Sequence, residues 1–523
     1  MIKKVTSFLL LSFCLCSLNH AQTTQKPNVI FILVDDLGYK DLGYTGSKFY
    51  ETPYIDKLAK KSAQFSKAYA ACQVCSPSRG SIMSGVYPTR HGITDYIGAP
   101  IGTEWRKQNR NTVLLPPTYQ KQLALDYTTI PELLKQNGYA TFFAGKWHLG
   151  GQGFMPTDQG FDINKGGNHA GHPASFFSPY KNENLTDGPD GENLEMRLAN
   201  ETVNFIKANQ GQPFFAFLSF YAVHSPIQTT QEKWQYFRNK AEKEGIKERG
   251  FAMERLLPAR IQQDNPVYAG LVSHMDDAVG KVMDALQAMN LDKNTIVVFT
   301  SDNGGVVSGD NYSTNLSPLR GGKGYQWEGG LRVPLLISVP WLTAKGADVK
   351  TSVNGIDFLP TLMELTNTIQ KPAQNLDGLS LVPLLKGQKL RERPLFWHYP
   401  HYGNQGGEPC SVIQSGQWKL IHYWEDDRTE LYDLRKDISE QSDVTKTNAA
   451  TVKTLYQELR QWLKQTNALL LEKDPDYTLA KREASQQKVV TETWPNQERN
   501  RKNMLQKDWK PNDTWWGSQP KKK

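Results

Sequence analysis

Asn28-Val29-Ile30-Phe31-Ile32-Leu33-Val34-Asp35-Asp36 decides how the rest of the chain is read: an apolar, largely branched run that breaks off at two adjacent aspartates. A strand buried on both faces, as in a parallel sheet, reads as a continuous apolar run, whereas a half-buried strand alternates. The stretch therefore predicts a buried parallel strand whose carboxyl end delivers Asp35 and Asp36. Similar runs occur at Ala140 to Phe143, Phe214 to Phe220, Thr295 to Thr300 and Pro334 to Val339. Helical spacing separates them, at Thr52 to Lys67, Thr129 to Asn137 and Tyr268 to Met289. Alternating strands and helices predict an α/β fold with a doubly wound sheet.

From about Arg391 the texture changes. Pro394 to His398, Cys410 to Gln414, Trp418 to Tyr423 and Glu430 to Asp433 read as strands of a small antiparallel sheet, and Thr451 to Leu463 as its covering helix. A chain of 523 residues exceeds what one core holds, roughly 250 to 300 residues, so two unequal domains are expected. The expected division is a catalytic domain over 22–390, a smaller α+β domain over 391–466, and a basic tail over 467–523. That tail carries Trp494, Trp509, Trp515 and Trp516, suited to anchoring it, between polar spacers that read as loosely ordered.

The first 21 residues have the build of an export signal: Lys3 and Lys4, an apolar run from Phe8 to Leu18, and Ala21 as the small residue for cleavage. A periplasmic or secreted protein is expected. Cys14 and Cys16 raise a lipoprotein alternative, but the residues ahead of them match a lipobox poorly. Removing the signal leaves Cys72, Cys75 and Cys410, too few for a disulfide framework and odd in number, which makes one of them a candidate for chemistry. No later segment offers the ~20 apolar residues of a membrane span. Net charge is +8, with the excess toward Lys481 to Lys523, which reads as a solvated tail or as a contact for polyanions. No basic motif with interleaved stacking aromatics points to nucleic acid.

In open α/β sheets, sites form outside the carboxyl ends of the strands. The polar residues just beyond the runs are Asp35 and Asp36; Lys146 and His148; His224; and Asp302 and Asn303. Asp35, Asp36, Asp302 and Asn303 offer only oxygen donors, the set of a hard cation such as calcium or magnesium. Taken alone, Asp35-Asp36 reads equally well as a helix N-cap pair. A second carboxylate-bearing strand end weakens that reading.

Cys75-Ser76-Pro77-Ser78-Arg79-Gly80, continuing to Met83-Ser84-Gly85, resembles the signature of the formylglycine-dependent sulfatases of the alkaline phosphatase superfamily. Met83-Ser84 departs from the family's usual Leu-Thr. Val34-Asp35-Asp36-Leu37-Gly38, Gly145-Lys146-Trp147-His148-Leu149-Gly150, Ala222-Val223-His224-Ser225-Pro226 and Thr300-Ser301-Asp302-Asn303-Gly304 are similar to further family segments, and Lys323 in Arg320-Gly321-Gly322-Lys323-Gly324 to its remaining sulfate-binding lysine. The resemblance spans about Pro27 to Lys464. It implies a mixed sheet of alkaline phosphatase-like type. It also implies Cys75 oxidised to 3-oxoalanine (formylglycine), by a formylglycine-generating or anaerobic sulfatase-maturating enzyme. One calcium ion is implied on Asp35, Asp36, Asp302, Asn303 and residue 75, with Arg79, Lys146, His148, His224 and Lys323 as catalytic groups. Superfamily phosphodiesterases and phosphonate hydrolases generally carry a histidine where this chain has Asn303, which disfavours a phosphate or phosphonate ester hydrolase. A silent glycan-binding homologue, with position 75 an unmodified cysteine, is the other alternative.

Chemistry agrees with the resemblance. A hydrated aldehyde has one hydroxyl to attack sulfur and another through which sulfate leaves as the carbonyl re-forms. Pro77 suits the opening of a helix whose free N–H groups face an anion. Lysines neutralise sulfate oxygens and histidines move protons near neutral pH. The expected substrate is a sulfated glycan, with galactose or N-acetylgalactosamine sulfate, at O4, as the preferred linkage. Loops at Thr94 to Arg106, Asn168 to Phe177 and His398 to Glu408 surround the site in this reading, with Asp95, His169, His172, His398 and His401 as candidates for sugar contact.

Overall fold

The structure is a computed structural model that describes residues 26–108, 110–309, 313–344 and 346–510. The expected export signal, Trp515 and Trp516 lie outside the described residues.

An eight-stranded mixed sheet forms the body, in the order Asp348–Val349, Ala63–Phe65, Leu335–Ser338, Thr295–Ser301, Asn28–Val34, Phe214–Ser219, Ala140–Gly145, Ile163–Lys165. Asn28–Val34 is central and parallel to both neighbours, Thr295–Ser301 and Phe214–Ser219, and Ala140–Gly145 continues the parallel set. Leu335–Ser338 runs antiparallel to Thr295–Ser301, so the sheet is mixed.

Both faces of the central strand are buried, which is why its sequence shows no alternation. Ile30, Ile32 and Val34 face the helices Leu194–Ala208 and Pro266–Ala288. Val29, Phe31 and Leu33 face Ile82 and Met83 of the helix Cys75–Ser84, together with the helices Ile130–Gln136 and Phe358–Leu365. Phe31 stacks on Phe217 across the sheet at 4.8 Å between ring centres.

A four-stranded antiparallel sheet follows, Leu395–Tyr399, Cys410–Ser415, Trp418–Tyr423 and Thr429–Asp433, joined in sequence order. One face, with Trp397, Val412, Ile421 and Tyr432, packs on Tyr69, Tyr325 and Trp327 of the body. The other, with Phe396, Ile413, Leu420 and Leu431, is covered by Leu455, Leu459, Trp462 and Leu463 of the helix Ala449–Gln465.

Two expectations need correction. The helix expected over Thr52 to Lys67 ends at Ala59, where the Gln64 side chain donates to the Ala59 carbonyl, and Ala63–Phe65 turns into a strand between Leu335–Ser338 and Asp348–Val349. Pairing with the sheet edge outcompetes local helical preference there. As far as residue 510 the tail is more structured than its composition indicates, with helices Leu479–Lys488 and Trp494–Met504. Arg501 is buried and bonds Asp264 at 2.8 Å, Leu505 joins the main core, and Trp509 packs on Trp234. Its anchors are an arginine and a leucine as much as tryptophan.

Candidate active site

Four adjacent parallel strands end at one place and bring the polar residues together. Asp35 and Asp36 follow the central strand, Asp302 and Asn303 its neighbour on one side, and His224 and Lys146 with His148 the two strands on the other. Oxygens of Asp35, Asp36 and Asp302 all lie within 4.8 Å of one another, fully buried.

Cys75 opens the helix Cys75–Ser84 and is buried there. The Ser78 hydroxyl fixes this start by accepting from the Cys72 N–H and donating to the Cys72 carbonyl, at 3.0 and 2.9 Å. One turn on, Arg79 shares the face of Cys75. Its guanidinium donates to Asp302 Oδ2, the Lys146 carbonyl and Ser219 Oγ, each at 2.8 Å, and lies 3.5 Å from Asp35. Arg79 therefore braces the carboxylates from behind. Lys146 donates to Asp35 at 2.6 Å, and Lys323 lies 2.8 and 2.9 Å from the two oxygens of Asp36.

His148 is set by its neighbours. Gly145, at φ +104°, lies so close to the next strand that a Cβ would stand 1.8 Å from the Ser219 carbonyl oxygen, so only glycine lets the chain turn toward the site. The His148 Nε2–H donates to the Ile97 carbonyl at 2.9 Å, since a carbonyl only accepts. Nδ1 is then bare, 3.4 Å from Cys75 Sγ and 3.2 Å from Ser76 Oγ. Burial, reinforced by Lys146, holds this imidazole well below its usual pKa, so it stays neutral and able to accept a proton. His224 has the opposite tautomer: its Nδ1–H donates to the Ser225 carbonyl at 2.7 Å, leaving Nε2 3.7 Å from Asp36.

Donor chemistry here fits a hard cation. Asn303 Oδ1 and Asp35 Oδ1 are buried acceptors without a hydrogen-bond partner, while Asn303 Nδ2 donates to Asp36 at 2.8 Å. Burial lifts Asp35 well above the usual carboxylate range, with repulsion from Asp302 and Asp36 opposing the pull of Lys146 and Arg79. Asp36 goes the other way: burial raises it, but Lys323, with His224 and Lys146, holds it well below that range. Unpartnered oxygens among crowded carboxylates are what a divalent ion with oxygen ligands completes. Three carboxylates already face three cationic side chains, Arg79, Lys146 and Lys323, so such an ion would leave the site net positive and receptive to an anion.

A cavity of ≈ 490 Å³ opens onto Cys75, His148, His224 and Lys323. All three loops expected around the site reach it: Tyr96 and Ile97 from the first, His169 and His172 from the second, Asn404 and Gln405 from the third. The other candidates for sugar contact lie away from its lining. Asp95 is buried, accepting from the Tyr399 hydroxyl at 2.9 Å, and burial pushes its pKa up to about 7. His401 is buried against Thr94, and His398 between Ser411 and the Leu469 carbonyl, with its pKa pushed down to about 4 by burial. Their position in polar loops makes them candidates, but His398 and His401 belong to the packing around the small sheet. Tyr96, Asn404 and Gln405 were missed: they sit inside the flagged loops, but no charge or motif marks them. Arg110, stacked 4.1 Å over Trp105, bonds the Asn404 side chain, which itself donates to the Tyr96 hydroxyl at 3.1 Å.

A cysteine at a helix start, a buried acidic cluster and three cations form a centre suited to anionic esters. The chain belongs to the sulfatase family: the model described as Sulfatase matches residues 27–368, and that of the N-sulphoglucosamine sulphohydrolase C-terminal region matches residues 322–468. A sulfatase of Formosa agariphila is 31% identical, over 85% of this chain and 90% of its own. The N-acetylgalactosamine-6-sulfatase of Canis lupus familiaris is 29% identical over 80% of this chain and 75% of its own. Of solved structures, Ps i-CgsB in complex with k-i-k-neocarrahexaose is 29% identical with a TM-score of 0.69, covering 91% of this chain and 100% of that one. The phosphonate monoester hydrolase of Agrobacterium radiobacter, 18% identical with a TM-score of 0.59 over 84% of this chain and 96% of its own, shares the fold. The reaction of this chain is hydrolysis of sulfate esters, on an alkaline phosphatase-like fold.

Proposed function

We propose that the chain removes O-sulfate from galactose or N-acetylgalactosamine units of a sulfated glycan, with Cys75 converted to 3-oxoalanine by a maturating enzyme and one calcium ion held by Asp35, Asp36, Asp302, Asn303 and residue 75. The bare Nδ1 of His148, turned to the side chain of residue 75, carries this reading. When present, the hydrated aldehyde supplies an attacking hydroxyl and a second through which sulfate is expelled, and calcium supplies positive charge for sulfate oxygens.

The chain's own groups do the rest. His148 Nδ1 accepts the proton of a hydroxyl at position 75. Lys323, a cation on the Asp36 side of the cavity, delivers the proton that the departing sugar oxygen needs, and the bare Nε2 of His224 beside it is an acceptor through which a proton can return. Lys146 and Arg79 keep Asp35 and Asp302 in place. Galacto-configured sulfates are supported by relatives named for N-acetylgalactosamine 6-sulfate and by a neighbour holding a carrageenan-type oligosaccharide. The O4 preference read from the sequence stands beside the 6-position of those names, so both esters belong in the assay.

In this reading residues 22–390 are the catalytic domain, 391–466 an appended domain and 467–523 a tail, and the chain is exported to periplasm or medium after loss of 1–21. No helix among the described residues is long and apolar enough to cross a membrane.

The test is a panel of galactose and N-acetylgalactosamine 4- and 6-sulfates, with nitrophenyl sulfate and nitrophenyl phosphate, on protein from a maturase-bearing host and on Cys75→Ala. Sulfate release by the parent, lost in the variant, with residue 75 found as the aldehyde by mass spectrometry, is expected. Full activity with an intact thiol would overturn the reading, and preference for phosphate would favour the phosphoesterase alternative.

A further inference from the structure

We propose a second glycan site, separate from the cavity at position 75, that holds a sulfated stretch of the same polymer; the choice of a glycan rests on the function proposed above. A larger cavity, ≈ 950 Å³, lies where the body meets the small sheet. It is bounded by Lys67 to Tyr69, Lys350 to Ser352, the connecting segment Gln388 to Arg393, and the ends of strands in the small sheet. None of its residues lines the cavity at Cys75.

Its lining holds seven lysines and arginines against a single acid, Glu392. Lys67, Lys350, Lys389, Arg391 and Arg435 are exposed. Among the described residues Lys67, Lys389 and Arg391 enter no ion pair, and Arg435 bonds the neutral Gln417 side chain. Lys350 has a loose contact with Asp348 at 3.7 Å, both exposed, a geometry that contributes little. Arg332 and Arg393 are walls instead, committed to Glu328 and Asp357. Five cations gathered in a hollow with one acid in its lining and one loose contact to Asp348 repel one another, and a permanently charged polyanion relieves that repulsion.

Sulfate esters on a sugar chain suit it in three ways. They stay ionised at any ordinary pH, so charge-assisted bonds from lysine and arginine persist. Partly buried Leu390, Leu434 and Ile438 give the hollow an apolar floor for the C–H faces of sugar rings. No exposed aromatic lines it, since Tyr69 is buried and bonded to Glu328, so the stacking platform of single-stranded nucleic-acid sites is missing. A polymer held here raises the local concentration of its other units at the reacting cavity.

The experiment uses the full-length protein and the variant Lys67→Glu/Lys389→Glu/Arg391→Glu/Arg435→Glu, with a matching set of Gln substitutions as a milder series. Melting temperatures establish that both are folded. Binding is measured to dextran sulfate, to unsulfated dextran and to duplex DNA across a salt series, beside turnover of nitrophenyl sulfate. Dextran sulfate affinity is expected to fall by about tenfold or more, with a shallower salt dependence, while nitrophenyl sulfate turnover changes by less than about twofold. Undiminished dextran sulfate binding by the folded variants overturns the proposal. So does tighter binding of DNA through the same residues. A parent that fails to turn over nitrophenyl sulfate, yet binds dextran sulfate through this cluster, strikes at the function proposed for position 75 and supports the second site.

Discussion

Gly171 lies flat against the imidazole of His148: a methyl on its Cα would stand 2.5 Å from Cε1 and 2.8 Å from Nε2. The contact leaves the ring no room to move away from its bond to Ile97. Gly171→Ala should therefore tilt His148 off position 75 and lower kcat by about 10²-fold, with a smaller change in KM. Gly151→Ala, whose added methyl meets the His169 Cβ only at 3.6 Å, is the matched control and should be near neutral. Steady-state kinetics on a small aryl sulfate, with melting curves to establish folding, separates the two.

Calcium should stabilise the folded chain by mass action, about 2.7 kcal/mol at a hundredfold excess over its Kd. Asn303→Ala removes the unpartnered carbonyl oxygen of the cluster and should shrink the calcium-induced rise in melting temperature, with magnesium as the comparison ion. An undiminished rise in the variant would remove Asn303 from the ligand set.

Glu195 gives a pH prediction with a definite sign. Burial pushes its pKa from 4.5 up to about 8 while its Oε1 accepts from the Ala222 N–H at 2.9 Å. A carboxyl that binds its proton more tightly when folded contributes stability that is full below about 4.5 and lost as pH rises through about 8. Glu195→Gln keeps the acceptor and cannot ionise. The difference in melting temperature between parent and variant should thus shift in the variant's favour across that window and level off above it.

Much of this arrangement was legible in the sequence. Parallel strands buried on both faces announce themselves, and the residue pairs that follow them, Asp35-Asp36 and Asp302-Asn303, meet because neighbouring parallel strands end on one edge. What pattern reading missed depends on distant partners. Gln64 stops a helix only because a sheet edge waits at Leu336 and Ile337, and His398 is buried only because Leu469 comes to cover it. Tyr96, Asn404 and Gln405 line the cavity through the meeting of two remote loops, which no local spacing encodes.

Trp462 stacks on Phe396 at 4.8 Å and meets Tyr87 edge-on at 5.3 Å, joining the covering helix, the small sheet and the body. Trp462→Ala should cost about 3–5 kcal/mol, as large aromatic truncations in a core do. Denaturant titration followed by tryptophan fluorescence reads it, and a change below about 1 kcal/mol would show that the helix contributes little to the fold.

The loop bearing Asn404 and Gln405 hangs between two strands of the small sheet, while Asp35, Cys75, His148 and Asp302 all belong to the body. Of the cavity's lining, Asn404 and Gln405 thus sit on a length of chain separate from the acidic cluster, while Tyr96, Ile97, His169 and His172 share the body with it. Grafting the stretch between Tyr399 and Cys410 from a relative would exchange one wall of the cavity over an untouched reaction bed, a step by which a lineage could retune toward a new polysaccharide without reinventing its chemistry.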